Sequence, residues 1–200
     1  MSEPENALPE NTPASADSAP SSPPKKRLSV GALVVWGGLA ALLLAVGLML
    51  HRAQKHGIAI GDPLPENLTL TAFDGTTYRM GDLKGKVVLL NFWASWCDTC
   101  KDEAVALEQA WESLQPRGDI LFLGLDYVDT EPDALAYLKR YGVTYPNGPD
   151  KATRWAQTFR LTGVPETYIV DKNGRLAYKK IGPFRSLEEI MAALQQVLEK

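Results

Sequence analysis

Cysteine is almost missing from this chain. Only Cys97 and Cys100 occur among 200 residues, close together in Trp96-Cys97-Asp98-Thr99-Cys100. Two cysteines exclude a scaffold of several disulfides. Histidine is as scarce: His51 and His56 lie beside an apolar segment far from the cysteines. A structural zinc site draws four ligands from such residues, so none is expected, and neither is a cofactor. A c-type haem attachment needs histidine directly after C-x-x-C, and Lys101 stands there. An excess of charge of one sign is lacking too, with a net charge of -3 and a pI near 5.5. Nothing in that balance points to a nucleic-acid partner. What is left is one vicinal cysteine pair. A disulfide across so small a loop removes little entropy from the unfolded chain. The pair therefore reads as a dithiol that opens and closes rather than as a staple.

Long uncharged runs are also missing, with one exception. Residues 30–50 read VGALVVWGGLAALLLAVGLML and contain no charge. At about 1.5 Å per helical residue the run spans roughly 30 Å, the thickness of a bilayer's hydrocarbon core. It shows no polar face and is expected to be a transmembrane anchor. A cleaved signal peptide is the rival, because Ala45-Val46-Gly47 has the small-x-small form of a cleavage site. The run is long for a signal core and continues past that site, which favours an uncleaved anchor. Lys25, Lys26 and Arg27 precede it, and Arg52 and Lys55 follow. That bias puts the N-terminus in the cytoplasm. A lone C-x-x-C domain on an anchor fits a compartment where disulfides persist. Four zones follow: a disordered cytoplasmic tail over 1–29, rich in Pro and Ser, an anchor over 30–50, a linker over 51–65, and a globular domain over 66–200. The last is long enough for its own core. The expected location is a single-pass protein of the cell membrane, with the C-terminal domain outside the cytoplasm.

The globular zone alternates strands and helices. Leu68 and Leu70 suggest a short strand, and Asp74-Gly75 marks a hairpin turn before a partner strand at Thr77-Tyr78-Arg79. Residues 87–93, VVLLNFW, are nearly all apolar, as a strand covered on both faces requires. A helix begins at the cysteine motif and runs to about Gln115. Residues 120–125 form a second buried strand. Thr130 can cap a helix with Pro132 in its first turn, ended by Gly142. Asp150 can cap a short helix through Trp155 and Phe159. A hairpin with an Asn173-Gly174 turn joins residues 167–170 to 176–178. Ser186-Leu187-Glu188-Glu189 is a capping box for a final helix to about Leu198. The order ββ-βα-βα-α-ββ-α predicts an α/β domain with a central mixed sheet flanked by helices and an N-terminal β-hairpin extension.

These residues resemble membrane-anchored, thioredoxin-like thiol–disulfide oxidoreductases of the TlpA/ResA/DsbE (CcmG) type. The match rests on Gly85-Lys86 before the strand, residues 92–100 (FWASWCDTC), Glu103, and residues 163–167 (GVPET). It covers about residues 58–198. It implies a thioredoxin-like fold and a redox-active disulfide. Cys97 then stands at the start of a helix, where unpaired N–H groups and the helix dipole favour its thiolate. Cys97 attacks a partner's disulfide, and Cys100, one turn on, resolves the mixed disulfide. The resemblance makes Val164-Pro165 a cis peptide against the cysteines. Trp96, Val164, Pro165 and Glu166 become candidates for substrate binding. Glu103 is a candidate for proton transfer and for tuning cysteine acidity.

Departures from the family pattern carry their own expectations. Asn91 replaces the buried Asp of general thioredoxins and cannot titrate. Asp98-Thr99 separates the cysteines, and the Asp98 charge is expected to raise the pKa of Cys97 and make the couple reducing. Val105 replaces a proline found in relatives, so their helix kink is not expected. The implied function is an extracytoplasmic protein-disulfide reductase, with apocytochrome c among the substrates the resemblance suggests and a membrane electron-donor protein as its source of electrons. General disulfide reduction or oxidation is the alternative within that class. A tethered binding module with a redox-sensing C-x-x-C is the alternative outside it.

Overall fold

A computed structural model describes residues 30–54 and 57–199; within the first stretch, side chains are described for Gly31 and residues 33–49. The expected tail over 1–29 and its basic residues lie outside the described residues. The described residues fall into two units, 30–54 and 57–199.

In the first unit, helix α1 covers Val30–Gln54. Apolar side chains such as Leu33, Trp36, Leu43 and Met49 are exposed along it. Among the described residues no helix is long and apolar enough to cross a membrane.

The second unit is built on a five-stranded sheet. Its strands are β3 (Val87–Trp93), β4 (Ile120–Asp126), β5 (Asn147–Pro149), β6 (Glu166–Val170) and β7 (Leu176–Ile181), in the order β5-β4-β3-β6-β7. Strands β3, β4 and β5 run parallel, while β6 and β7 are antiparallel to their neighbours. Strands β1 (Thr69–Thr71) and β2 (Thr77–Arg79) form the expected separate hairpin.

Every residue of β3 is buried, and alternation along it explains why. Val88, Leu90 and Phe92 point to a core shared with Leu68, Leu70, Trp155 and Phe159. Val87 and Leu89 point the other way, to a core with Leu107, Ala110, Ile190 and Leu194. A strand covered on both faces needs apolar residues on both. The helices packing on it are α2 (Asp98–Leu114), α3 (Glu131–Tyr141), α4 (Arg154–Phe159) and α5 (Leu187–Leu198). Helix α2 continues through Val105 without interruption, and Val105 faces solvent.

The caps fall where the sequence puts them. Thr130 accepts from the Asp133 N–H at 3.3 Å, and Gly142 ends α3 with φ 65°. Asp150 accepts from the N–H groups of Trp155 and Ala156, both at 2.8 Å. Ser186 accepts from the Glu189 N–H at 3.3 Å, but Glu189 reaches back to the Arg185 N–H rather than that of Ser186.

Two features differ from expectation. Residues 57–65, within the expected linker, join the folded unit: Leu64 is buried, the Gly61 N–H donates to Leu176 O, and Pro63 pairs with Arg175. Residues 147–149, Asn-Gly-Pro, belong to no element in the expected order, yet they form edge strand β5. An edge position tolerates Pro149 because one side of the strand needs no ladder partner.

Gly148 lets β5 approach the hairpin closely. A Cβ there would lie 2.3 Å from the Thr71 carbonyl oxygen and 2.9 Å from Ala72 Cα, both backbone atoms. Gly148→Ala is expected to destabilise the domain by about 2–3 kcal/mol in urea unfolding. A loss under about 0.5 kcal/mol contradicts this account of the β5–hairpin contact.

Candidate active site

The parallel β3–β4 pair ends at Trp93 and Asp126. Beyond β3 the chain turns through Ala94, Ser95 and Trp96 and enters α2 at the cysteines. Cys97 is the N-cap of α2, and its Sγ accepts from the Cys100 N–H at 3.1 Å. The sulfur thus takes the place of a capping oxygen among the unpaired N–H groups of the first turn. Cys97 and Cys100 are joined as a disulfide with Cα atoms 5.3 Å apart. Cys97 keeps slight exposure, 5%, against 1% for Cys100. An incoming sulfur therefore has its access at Cys97. Sγ of Cys97 also lies 3.6 Å from Thr99 Oγ1 and 3.5 Å from the Val164 carbonyl oxygen.

Val164-Pro165 is a cis peptide. It belongs to a groove of about 290 Å³ that Thr99, Val164, Pro165, Ile181 and Pro183 help to line. Glu166 borders the same groove, but its side chain is fully buried and turned inward. It accepts from the Thr162 N–H at 2.8 Å and from the hydroxyls of Thr162 and Tyr168, with Lys179 at 3.6 Å. Burial alone would raise its pKa; those hydrogen bonds and the Lys179 charge outweigh it and hold the carboxyl below its ordinary range. The carboxylate is committed to the loop that carries Pro165. Trp96 is 56% exposed beside the disulfide, with its indole N–H donating to the Val128 carbonyl at 3.0 Å.

Glu103 follows Cys100 by one helical turn on the buried face of α2. It is 1% exposed. Its Oε1 accepts from Asn91 Nδ2 and its Oε2 from the Phe184 N–H, each at 2.8 Å. Asn91 also donates to Thr167 Oγ1 at 3.1 Å, directly across the β3–β6 pairing. Burial pushes the Glu103 carboxyl up to about 7, against the lowering pull of those two donors and of Lys180. The sequence marks Asn91 only as a residue that cannot titrate; in the fold it is the donor that orients the group that can.

Asp98 behaves otherwise. Its side chain is 92% exposed and pairs with Lys101 at 2.5 Å, whose hydrogen bond and charge lower its pKa. Its charge is spent outward, on Lys101 and solvent. Sequence reasoning missed Tyr137, which stacks on Trp93 at 4.4 Å and donates to the Cys100 carbonyl at 2.9 Å. It also missed buried Asp126. Nothing in their local spacing separates either from ordinary helix and strand residues. Among the described residues no group of side chains could hold a metal ion.

The AhpC/TSA family matches residues 60–179. The chain belongs to that family. It is similar to the thiol-disulfide oxidoreductase ResA of Bacillus cereus (strain ZK / E33L), 31% identical over 162 residues, or 80% of this chain and 92% of that protein. It is also similar to the thiol:disulfide interchange protein DsbE of Allochromatium vinosum, 33% identical over 153 residues, or 76% of this chain and 82% of that protein. Among solved structures it resembles a thiol:disulfide interchange protein of the thioredoxin family from Chlorobium tepidum TLS, with TM-score 0.59, 25% identity, and 70% of this chain against 99% of that one. MTB dsbF aligns with TM-score 0.60, 25% identity, and 66% against 96%. The domain is thus a thioredoxin-like α/β fold around a mixed sheet, and the family member is a thiol–disulfide oxidoreductase whose redox centre is the Cys97–Cys100 pair.

Glu103 and Asp126 are the buried carboxyls raised furthest in the oxidised protein, and burial raises Asp150 in the same direction. At low pH these groups are protonated in folded and unfolded chains alike. Above their ordinary values, 4.5 for Glu103 and 3.8 for Asp126, the unfolded chain ionises while the folded chain resists until about 7. Stability therefore drains as pH rises through that window, on the order of 1–3 kcal/mol per group. Carboxyls with lowered values, such as Glu166 and Glu189, act with the opposite sign but largely below their ordinary 4.5. Urea unfolding of the oxidised protein is expected to give lower stability at pH 8 than at pH 5, with Glu103→Gln removing about half the fall. Equal slopes in both proteins contradict the burial argument for Glu103.

Proposed function

We propose that this protein is a membrane-tethered reductant of protein disulfides, acting outside the cytoplasm through the Cys97–Cys100 pair. The observation that carries the reading is the buried Glu103 carboxyl one turn behind Cys100. A carboxylate enclosed there opposes a thiolate nearby, and a less stabilised thiolate makes the dithiol a better electron donor. The exposed Asp98–Lys101 pair adds little to that bias.

In the reduced protein, the Cys97 thiolate attacks one sulfur of the partner's disulfide. A bond forms between Cys97 and that sulfur, and the partner's other sulfur leaves as a thiolate that takes a proton. Cys100 then gives up its own proton and attacks Cys97 Sγ. The partner's second thiolate leaves, and the Cys97–Cys100 bond closes. Two electrons have passed to the partner. A carboxyl that titrates near 7 is suited to take the Cys100 proton and return it, and Glu103 is that carboxyl. Tyr137 and Asn91 support it by holding the Cys100 backbone and the Glu103 side chain. Thr99, with its hydroxyl near Cys97 Sγ, can donate to the thiolate. The partner's extended chain runs through the groove at Val164 and Pro165, beside exposed Trp96.

Helix α1 is the anchor in this reading, supported by the uncharged run over 30–50. Likeness to ResA and DsbE supports oxidised apocytochrome c as the substrate and a membrane electron-donor protein as the source of reductant. Regeneration follows the same chemistry in reverse order, with the donor's thiolate attacking Cys97.

Cys100→Ser is expected to accumulate a mixed disulfide through Cys97, visible on non-reducing gels and lost in Cys97→Ser. The wild-type couple is expected to have a reduction potential closer to thioredoxin's, about -270 mV, than to that of the strong oxidant DsbA, about -120 mV. A value near the latter rejects the reductant reading. Carbonate extraction of full-length protein is expected to leave it with the membrane, and release into the supernatant rejects the anchor.

A further inference from the structure

The loop after β4 holds the cysteine motif from outside. Asp129 Oδ2 accepts from the Ser95 N–H at 2.6 Å, and Oδ1 accepts from the Ser95 hydroxyl at 3.0 Å and the Thr130 N–H at 2.8 Å. One residue back, the Val128 carbonyl accepts from the Trp96 indole. Before that, the Tyr127 N–H donates to the Trp93 carbonyl at 2.8 Å. Three successive residues of the loop thus grip three positions of the segment that delivers Cys97. Val128 does so with φ 48°. A β-branched residue avoids that region, so the contact is kept at a conformational cost.

Asp126 lies beneath the loop. It is 3% exposed, and its Oδ1 has no hydrogen-bond partner among the described residues. It lies within reach of the Asp129 charge, which acts on it. Two adjoining carboxyls are held together by one shared proton and driven apart when both ionise. The groups that act on Asp126 include no positive charge. Asp150, whose N–H donates to the Asp126 carbonyl, turns its carboxylate to Trp155 and Ala156. Asp133 is bonded to Thr130, and Lys101 pairs with Asp98.

We propose that Asp129 is a positioning residue for disulfide exchange at Cys97, acting through the Ser95 N–H and hydroxyl, and that buried, unpartnered Asp126 beneath the loop governs how firmly Asp129 holds that pose. Burial and the Asp129 charge push Asp126 up to about 7. The hold on Ser95 is therefore firm in mild acid and loosens above neutrality. The inference rests on Cys97 as the attacked sulfur. It gives the redox centre a second titrating device, at the end of β4 rather than on α2 with Glu103.

The test uses full-length oxidised protein in detergent micelles, where neither cysteine titrates. Glu103→Gln serves as background, because Glu103 titrates in the same range. Reduction by dithiothreitol is followed from pH 5.5 to 8.5 and expressed per dithiothreitol thiolate. The constant is expected to fall about fivefold with a midpoint near 7. Adding Asp126→Asn is expected to hold it at the acid value throughout. Adding Asp129→Asn is expected to give the low value at every pH. The amide proton signal of Ser95 should move with the same midpoint and lose its pH dependence in both double variants. A midpoint that survives Asp126→Asn overturns the proposal, as does an Asp129→Asn protein with unchanged rate and Ser95 signal. If Asp129→Asn does not fold, Ser95→Ala removes the hydroxyl half of the clamp. It is then expected to slow reduction about twofold at pH 6, and an unchanged constant overturns the proposal. Failure of the Cys97 reading itself looks different, since Cys100→Ser would then trap no partner while the pH profile stood.

Discussion

A carboxyl group enclosed behind a disulfide is the constraint on which this domain turns. Glu103 belongs to α2, yet its two oxygens are claimed by Asn91 on β3 and by the Phe184 N–H just before α5. Three elements of the fold meet on one side chain. A buried acid whose two hydrogen-bond donors are both neutral is costly to ionise, and the Lys180 charge offsets only part of that cost. The fold accepts that cost, and the result is a proton held near neutrality one helical turn from Cys100. The order of the sheet, with β3 flanked by parallel β4 and antiparallel β6, makes the arrangement possible. It brings Asn91 and Thr167 side by side and sets the Val164 carbonyl against Cys97.

The rest of the site divides its work between two flanks. On one side the cis Val164-Pro165 peptide and the inward-turned Glu166 form a firm wall beside the open groove. On the other, Tyr127, Val128 and Asp129 bind the turn that carries Trp96 into Cys97. Cys97 sits between them as the cap of α2. Chemistry at one sulfur thus depends on backbone contacts from both halves of the sheet. Exposed aromatic and apolar residues, Trp96, Val128 and Ile181, surround it. They suit a protein partner better than a small solute.

Much of this architecture is legible in the sequence itself. The apolar run over 87–93, the caps at Thr130, Asp150 and Ser186, and the Asn173-Gly174 turn are local signals, and each appears where its chemistry puts it. The resemblance to thioredoxin-like oxidoreductases supplies the cis proline and the interest of Glu103. Strand β5 escapes because Asn-Gly-Pro has turn chemistry; only the neighbouring β4 and hairpin make it a strand. Asp98 looks decisive by adjacency, but side-chain direction and Lys101 turn its charge into solvent. The Asp126–Asp129 pair leaves no trace in the sequence, because it depends on a strand end meeting a loop over Ser95. Long-range pairing of polar groups is what a one-dimensional pattern does not carry.

The central claim is that Glu103 holds its proton up to neutral pH because the fold buries it. Titration of its side-chain carboxyl carbon by NMR, in the oxidised full-length protein where the cysteines are silent, tests that directly. The account predicts a midpoint near 7. A midpoint near the ordinary value of 4.5 contradicts it.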